Sequence, residues 1–281
     1  MTTNGSWRQS PHPLITSIGR AAAQEDAFGI PVRQPGHDNW IGAESVLRHD
    51  TEGLRALVAG YGRDRLETEN RHLAGSEFII AFLTRLTFPL ISQYVLERRV
   101  LDVSLSNLAF HTSGGRIDGT ALSHPRFAVL PNDPDCEHPD ALVVRDDKAL
   151  YEQLKQWLFE SNFELVIPSL HQEARASRKV SWNAVAASCA QVFYHLYDLV
   201  EKPETVMRHA ETFFEDESSP IYRQVSMEVI EHLGKQGYFA RRAGCCLYWR
   251  LRDSNIFCSG CVLLKEHEQT EQFQRLLARQ P

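Results

Sequence analysis

The chain has 281 residues, with 36 acidic against 30 basic side chains and a formal net charge of −6. That length holds one large domain or two modest ones around a sizeable core. The acidic balance and the lack of any long basic run argue against a general nucleic-acid binder, so no nucleic-acid partner is expected.

The opening MTTNGSWRQSPHPLITSIGRAAAQEDAF has no apolar signal core. Residues 1–40, rich in Ser, Pro, Gly and Gln, read as an irregular arm that contains His12 and His37. Residues 41–145 read as a helical and small-sheet subdomain. AESVLRHDTEGLRALVAGYG predicts an amphipathic helix ending at Gly60, and a helical stretch follows from about Arg65 to Arg98 with a break near Pro89. Its apolar centre, EFIIAFLTRLTFPLISQYVL, is interrupted by Arg85 and Pro89. A buried helix pair is therefore expected rather than a transmembrane segment. The chain is read as cytoplasmic, with peripheral membrane association left open.

RRVLDVSLSNLAFHTSGGRIDGTAL then alternates apolar and polar residues at Leu101, Val103, Leu105, Leu108 and Phe110. With Ser113-Gly114-Gly115 as a turn, this predicts a β-hairpin or small antiparallel sheet continuing through RFAVLP. NDPDCEHPDA places Cys136 beside His138 and three aspartates. It lacks a recognisable ligand spacing, so a polar loop is preferred to a metal site.

Residues 146–236 read as a helical bundle. KALYEQLKQWLFESNFELVIPSLHQEA predicts two helices. In SWNAVAASCAQVFYHLYDLVEK, Trp182, Val185, Cys189, Val192, Phe193 and Leu196 share one face, and Ser181 offers a cap. Cys189 belongs to the core, and His195 and His232 read as structural. ETVMRHAETFFED and YRQVSMEVIEHLG add two helices. Residues 237–281 hold a cysteine segment and a polar terminal helix, EHEQTEQFQRLLAR. The expected class is α+β, predominantly helical, with a small antiparallel sheet in the N-terminal half, a helical bundle and a C-terminal iron–sulfur segment.

GCCLYWRLRDSNIFCSGC carries Cys245, Cys246, Cys258 and Cys261. In a reducing compartment such a cluster binds metal or does redox work rather than forming disulfides. Four thiolates can hold zinc, a single iron or an iron–sulfur cluster. Adjacent side chains diverge, so Cys245 and Cys246 chelate one tetrahedral ion awkwardly, whereas a two-iron cluster offers two ligand pairs. Ser259 and Gly260 can aim N–H groups at sulfur, and Tyr248 and Trp249 could shield one side. Arg241, Arg242, Arg250 and Arg252 add positive charge that favours thiolates. A structural zinc knuckle stays open.

YFARRAGCCLYWRLRDSNIFCSGCVLLK resembles the C-terminal segment of FhuF-type ferric siderophore reductases, whose pattern is Arg-Arg-x-x-Cys-Cys, a spacer, then Cys-x-x-Cys. Arg241, Arg242, Cys245, Cys246, Cys258 and Cys261 match it in order, with an eleven-residue spacer. FIIAFLTRLTFPLISQYVLERRVLDVSLSNLAFHTSGGRI, KVSWNAVAASCAQVFYHL and SSPIYRQVSMEVIEHL are similar to further family segments, extending the likeness from about Glu77 to Lys265. The resemblance implies iron release from a ferric siderophore by one-electron reduction, with a [2Fe–2S] cluster on the four cysteines. It also implies kinship with part of the aerobactin-type siderophore synthetases, which lack those cysteines. GGRIDG lacks the dinucleotide spacing, so electrons are expected from an external donor: a ferredoxin, a flavoprotein or an NAD(P)H-dependent reductase. Arg178, Lys179, Trp182, Asn183, Trp249 and Arg250 are the substrate-binding candidates. The alternatives are a zinc-stabilised siderophore-binding protein and an iron–sulfur redox sensor or electron-transfer protein.

Overall fold

The computed structural model describes residues 11–113, 116–250 and 257–280. Two long helices form its spine: α3 (Arg71–Ser92) and α6 (Arg178–Tyr197). Asn70 starts α3 by accepting from the amides of His72 and Leu73, which satisfies two donors that a helix start leaves open. α3 buries Phe78, Ile79, Phe82, Leu83, Leu86, Leu90 and Ile91. The packing against α6 includes a buried hydroxyl pair, Thr87 Oγ1 to Ser188 Oγ at 2.7 Å. The helical run Arg71–Glu97 is long and apolar enough to cross a membrane, but 72% of its most apolar window is buried inside the fold.

Pro89 lies inside α3 and does not break it, contrary to the sequence expectation of a helix pair. Proline removes one backbone donor, a cost that the buried surroundings of α3 offset. The helix instead ends in a wide turn at Gln93–Glu97, after which Arg98 takes φ 55°. α2 (Thr51–Leu66), capped by Asp50, likewise runs past the expected stop at Gly60. The arm is also more regular than expected, because α1 (Pro13–Ala22) follows His12, whose Nδ1 accepts the Leu14 amide.

Three small sheets sit around this spine. β1 (Trp40–Gly42), β3 (Leu108–Ser113) and β4 (Arg116–Leu122) form one, in the order β1-β3-β4 and all antiparallel. The expected hairpin is thus present, with residues 114 and 115 of its turn outside the described residues. RFAVLP does not extend that sheet. β5 (Phe127–Val129) pairs antiparallel with β2 (Val100–Leu101) and parallel with β6 (Ala141–Val143).

α4 (Asp147–Lys155) and α5 (Glu164–Ala174) are joined by a wide helical turn, and α7 (Pro203–Phe214) follows α6. Ser177, not Ser181, caps α6. One expected helix is a strand: YRQVSMEVIEHLG contains β7 (Val225–His232), which pairs antiparallel with β8 (Lys235–Arg242). Leu233 and Gly234 make the connecting turn, both with positive φ. α8 (Glu266–Arg279) closes the chain as expected. One apolar cluster runs from Leu14 in α1 to Tyr238 in β8.

Candidate metal centre

The four cysteines are placed by β8 on one side and α8 on the other. β8 leads directly into Cys245 and Cys246. The second pair forms a tight turn, with the Cys261 amide donating to the Cys258 carbonyl at 3.0 Å. The Arg242 amide reaches the Gly260 carbonyl at 3.4 Å, docking this turn on the end of β8. The approach is close: any side chain at Gly260 would meet the Ala240 carbonyl. Gln269 of α8 donates from Nε2 to the carbonyls of Cys261 and Leu264, at 3.0 and 3.1 Å. Phe239 stacks on Phe273 with ring centroids 4.7 Å apart.

Cys246 Sγ and Cys258 Sγ lie 3.9 Å apart. Two thiolates bound at ~2.3 Å to one tetrahedral ion would be about 3.8 Å apart. Cys246 and Cys261 are buried, Cys245 and Cys258 half-buried, and all six cysteines of the chain are free thiols. The Leu247 amide points at Cys245 Sγ, 3.3 Å away. It does so from a left-handed backbone, φ 69°, which is uncommon for leucine and marks a locally constrained loop.

Charge at the site is asymmetric. The hydrogen bond from Cys246 lowers the Cys258 thiol to about 6; burial opposes the shift and attraction to Arg242 aids it. The same hydrogen bond, with burial, raises Cys246. Burial raises Cys261, with the charges of Cys245 and Cys246 adding to it. Burial works against the Arg242 charge, but the sulfurs of Cys258 and Cys246 outweigh it and its pKa rises. A cation placed there favours metal-binding thiolates.

Sequence reasoning missed Glu77. It stands near the start of α3, 5% exposed, and its Oε1 has no hydrogen-bond partner. Burial first, then the charge of Cys246, raises it to about 8, with Arg242 pulling the other way. The available signal was a single carboxylate opening the apolar run EFIIAFL. The Asn183 amide is also placed at the site's edge. It packs on Gly244, just before the cysteine pair, so closely that a side chain at that glycine would overlap it. Its Oδ1 is buried without a partner.

The other expected site residues are more dispersed. Arg241 and Arg242 are adjacent on β8 and point to opposite faces. Arg241 pairs with Glu228, donates to Gln269 Oε1 at 3.0 Å and Thr270 Oγ1 at 2.8 Å, and lies over the Phe273 ring. It fastens α8 rather than facing sulfur. Trp182 is half-buried and packs edge-on against the core residue Phe159. Arg178 and Lys179 are exposed at the start of α6. Trp249 and Tyr248 are 38% and 48% exposed, and Arg250 lies over the Trp249 ring. Arg252 falls outside the described residues.

A cavity of about 320 Å³ opens beside the turn, lined by Arg242, Cys258, Ser259 and Gly260 and by Tyr194 and Phe273. The site therefore combines one metal-spaced pair of thiols with two further cysteines next to them in the chain, a half-buried guanidinium, a buried acid and an opening at one sulfur. The donor set suits iron or zinc, because both take tetrahedral thiolate ligation.

The family model for the ferric iron reductase FhuF-like transporter matches residues 76–237, more than half of the chain. The chain belongs to that family. The matched stretch includes Glu77 and Asn183 and ends ahead of Cys245. No curated protein matches the chain. Among solved structures, ATP-bound aerobactin synthetase IucA from a hypervirulent pathotype of Klebsiella pneumoniae is similar at 14% identity and a TM-score of 0.45. That alignment covers 63% of this chain and 32% of the synthetase. The same synthetase, in a structure not described as ATP-bound, gives 15% identity and a TM-score of 0.43 over the same shares. The chain spans about a third of the length of these proteins.

Proposed function

We propose that the protein is a cytoplasmic ferric siderophore reductase in which Cys245, Cys246, Cys258 and Cys261 hold a [2Fe–2S] cluster. The observation that carries the reading is the Cys246–Cys258 pair, spaced at 3.9 Å for one tetrahedral ion beside an opening at Cys258, with Cys245 adjoining the first of them and Cys261 in the turn of the second. When bound, such a cluster supplies a one-electron carrier whose potential can lie near roughly −400 mV. Pairing Cys246 with Cys258 leaves Cys245 with Cys261. The adjacent cysteines would then hold different irons, as their diverging side chains favour.

The chain's own residues supply the setting. Arg242 offsets negative charge on the sulfurs and favours their deprotonated form. The Leu247 amide donates toward Cys245, a contact of the kind that tunes an iron–sulfur centre. The opening beside Cys258 is at the small end of ligand pockets, so a ferric siderophore would cover its mouth rather than enter it. Contact with the iron is not required, because an electron can cross a short gap. Siderophore oxygens hold Fe(III) tightly and Fe(II) weakly, so one electron makes the metal exchangeable. The electron comes from a separate donor: a ferredoxin, a flavoprotein or an NAD(P)H-dependent reductase.

The test is iron release. Anaerobic protein reduced with dithionite and freed of excess reductant should deliver Fe(II) from a ferric hydroxamate or ferric citrate-type siderophore to a ferrous chelator. The Cys258→Ser variant should deliver none. Equal release by that variant would sink the proposal.

A further inference from the structure

A second group of ligand-type side chains is assembled by other elements. His12 stands at the start of α1, and His138 and Asp140 lie in the loop between β5 and β6. Each offers a ligand atom, and these atoms all fall within 4.8 Å of one another. His12 Nε2 is 3.1 Å from Asp140 Oδ2, His138 Nδ1 is 3.8 Å from the same oxygen, and the two imidazole centroids are 4.4 Å apart. More than 120 residues of chain separate the first histidine from the second. The fold, not local sequence, makes the group.

The surroundings are those of a built site. Phe127 forms an apolar floor, 6.0 Å from the His12 ring and 6.2 Å from the His138 ring. The loop is also held by a group outside the histidines. Arg99 donates to Asp133 from Nε at 2.9 Å and from Nη2 at 2.7 Å, and to Asp135 at 2.5 Å. Its guanidinium also lies over the Phe127 ring, 5.3 Å from the centroid. One guanidinium against three carboxylates leaves the pocket net negative, which suits a dication. The side chains of His12, His138 and Asp140 are 16%, 25% and 39% exposed, sheltered yet open to an ion. Asp140 also lines a cleft of about 620 Å³ together with Glu44, Asp102 and Glu160.

We infer that His12, His138 and Asp140 form a second cation site, for a divalent first-row transition ion such as Fe²⁺, Co²⁺ or Zn²⁺. Two imidazoles and one carboxylate are the donors these ions prefer, whereas Mg²⁺ and Ca²⁺ seek oxygen alone. Three protein ligands leave coordination positions for water or a passing ligand, so the ion is exchangeable. Binding has a local cost. His12 Nδ1 accepts the Leu14 amide and His138 Nδ1 accepts the Asp140 amide, at 3.1 and 3.2 Å. Coordination through His12 Nε2 moves that ring's proton to Nδ1, ends its hydrogen bond to Asp140 Oδ2 and releases the Leu14 amide. Coordination through His138 Nδ1 displaces the Asp140 amide. Each lost bond is a modest cost, small beside a metal–imidazole bond. The ion thus replaces three hydrogen bonds and fastens α1 to the β5–β6 loop.

This inference does not depend on the cysteine cluster, and the test keeps the two apart. Co²⁺ is titrated anaerobically into full-length protein with all four C-terminal cysteines replaced by serine, and into that protein with His138→Gln or Asp140→Asn added. The expected result is one Co²⁺ per chain, with weak visible bands and no thiolate charge transfer. Millimolar Mg²⁺ should not displace it, and either added substitution should weaken uptake about tenfold or more. Circular dichroism checks the fold, and Asp140→Asn decides if His138→Gln does not fold. Absence of uptake, or uptake unchanged by the substitutions in folded protein, overturns the site. Neither result bears on iron release by the wild-type cysteines.

Discussion

The core around α3 and α6 and the clamp around the cysteine segment are held by different means. The core is one large apolar cluster that includes Phe82, Phe110, Phe163 and Phe193, all at most 2% exposed. Its stability comes from area removed from water, which tolerates imperfect geometry. Among the described residues, the apolar cluster of the clamp is built on Phe239, Phe273 and Leu277. Directional contacts complete it: Gln269 on two carbonyls, Arg241 on Thr270, and the Arg242 amide on Gly260. A segment with so small an apolar base opens more readily than the rest of a fold. Metal ligation would add what it lacks, since ligand binding to a site formed only on folding stabilises the folded state.

The largest expected stability effect comes from breaking the core. Phe163→Ala removes a fully buried ring that meets Phe82 edge-on at 6.1 Å and should cost about 3–5 kcal/mol in chemical denaturation of the whole chain. The matching change in the clamp sharpens the contrast. Phe273→Ala should leave the main unfolding transition within about 1–2 kcal/mol of wild type, because α8 can detach locally. It should nonetheless speed metal loss to a chelator severalfold. An equal loss in the main transition for both variants would mean that clamp and core unfold as one.

Arg242→Gln probes charge at the sulfurs. A unit charge near 4 Å is worth on the order of 1–4 kcal/mol, depending on screening. Removing it should make a bound cluster harder to reduce, seen as a more negative midpoint in a redox titration. A pH-dependent effect is expected at Glu77, in metal-free protein. Its folded pKa, about 8, is raised above the ordinary 4.5. The stability it contributes is therefore fully present below about pH 4.5 and is lost as pH rises through 8. Glu77→Gln should remove that slope, so the variant gains on wild type between about pH 5 and pH 8 in urea midpoints. Parallel pH profiles would place the carboxyl in water instead.

What the sequence made legible follows from how local each signal is. The four cysteines are a motif of residue type and spacing. The apolar face of α6, with Val185, Cys189, Val192, Phe193 and Leu196 all buried, is a helical period. The hairpin of β3 and β4 is an alternation around a glycine turn. Other features depend on distant partners. β7 was misread because Val225, Met227, Val229 and Ile230 fit a helical spacing as well as a strand, and its turn is the unadvertised pair Leu233-Gly234. Pro89 looked like a break because the tertiary packing that lets a helix carry it is invisible in one dimension. Arg241 looked like a neighbour of the sulfurs, but strand alternation sends it to α8. Glu77 and Asn183 become part of the site only because α3 and α6 deliver them to the cysteine loop. His12 and His138 could be joined only by the fold.

The central claim is the nature of the centre on Cys245, Cys246, Cys258 and Cys261. The most direct measurement is an absorption and EPR spectrum of anaerobically purified protein, with iron, zinc and acid-labile sulfide assayed on the same sample. A [2Fe–2S] centre predicts iron matched by sulfide, visible charge-transfer bands, and an EPR signal that appears on dithionite reduction. A colourless sample with one zinc per chain and no sulfide would contradict it, and the proposed reductase would lose its electron carrier.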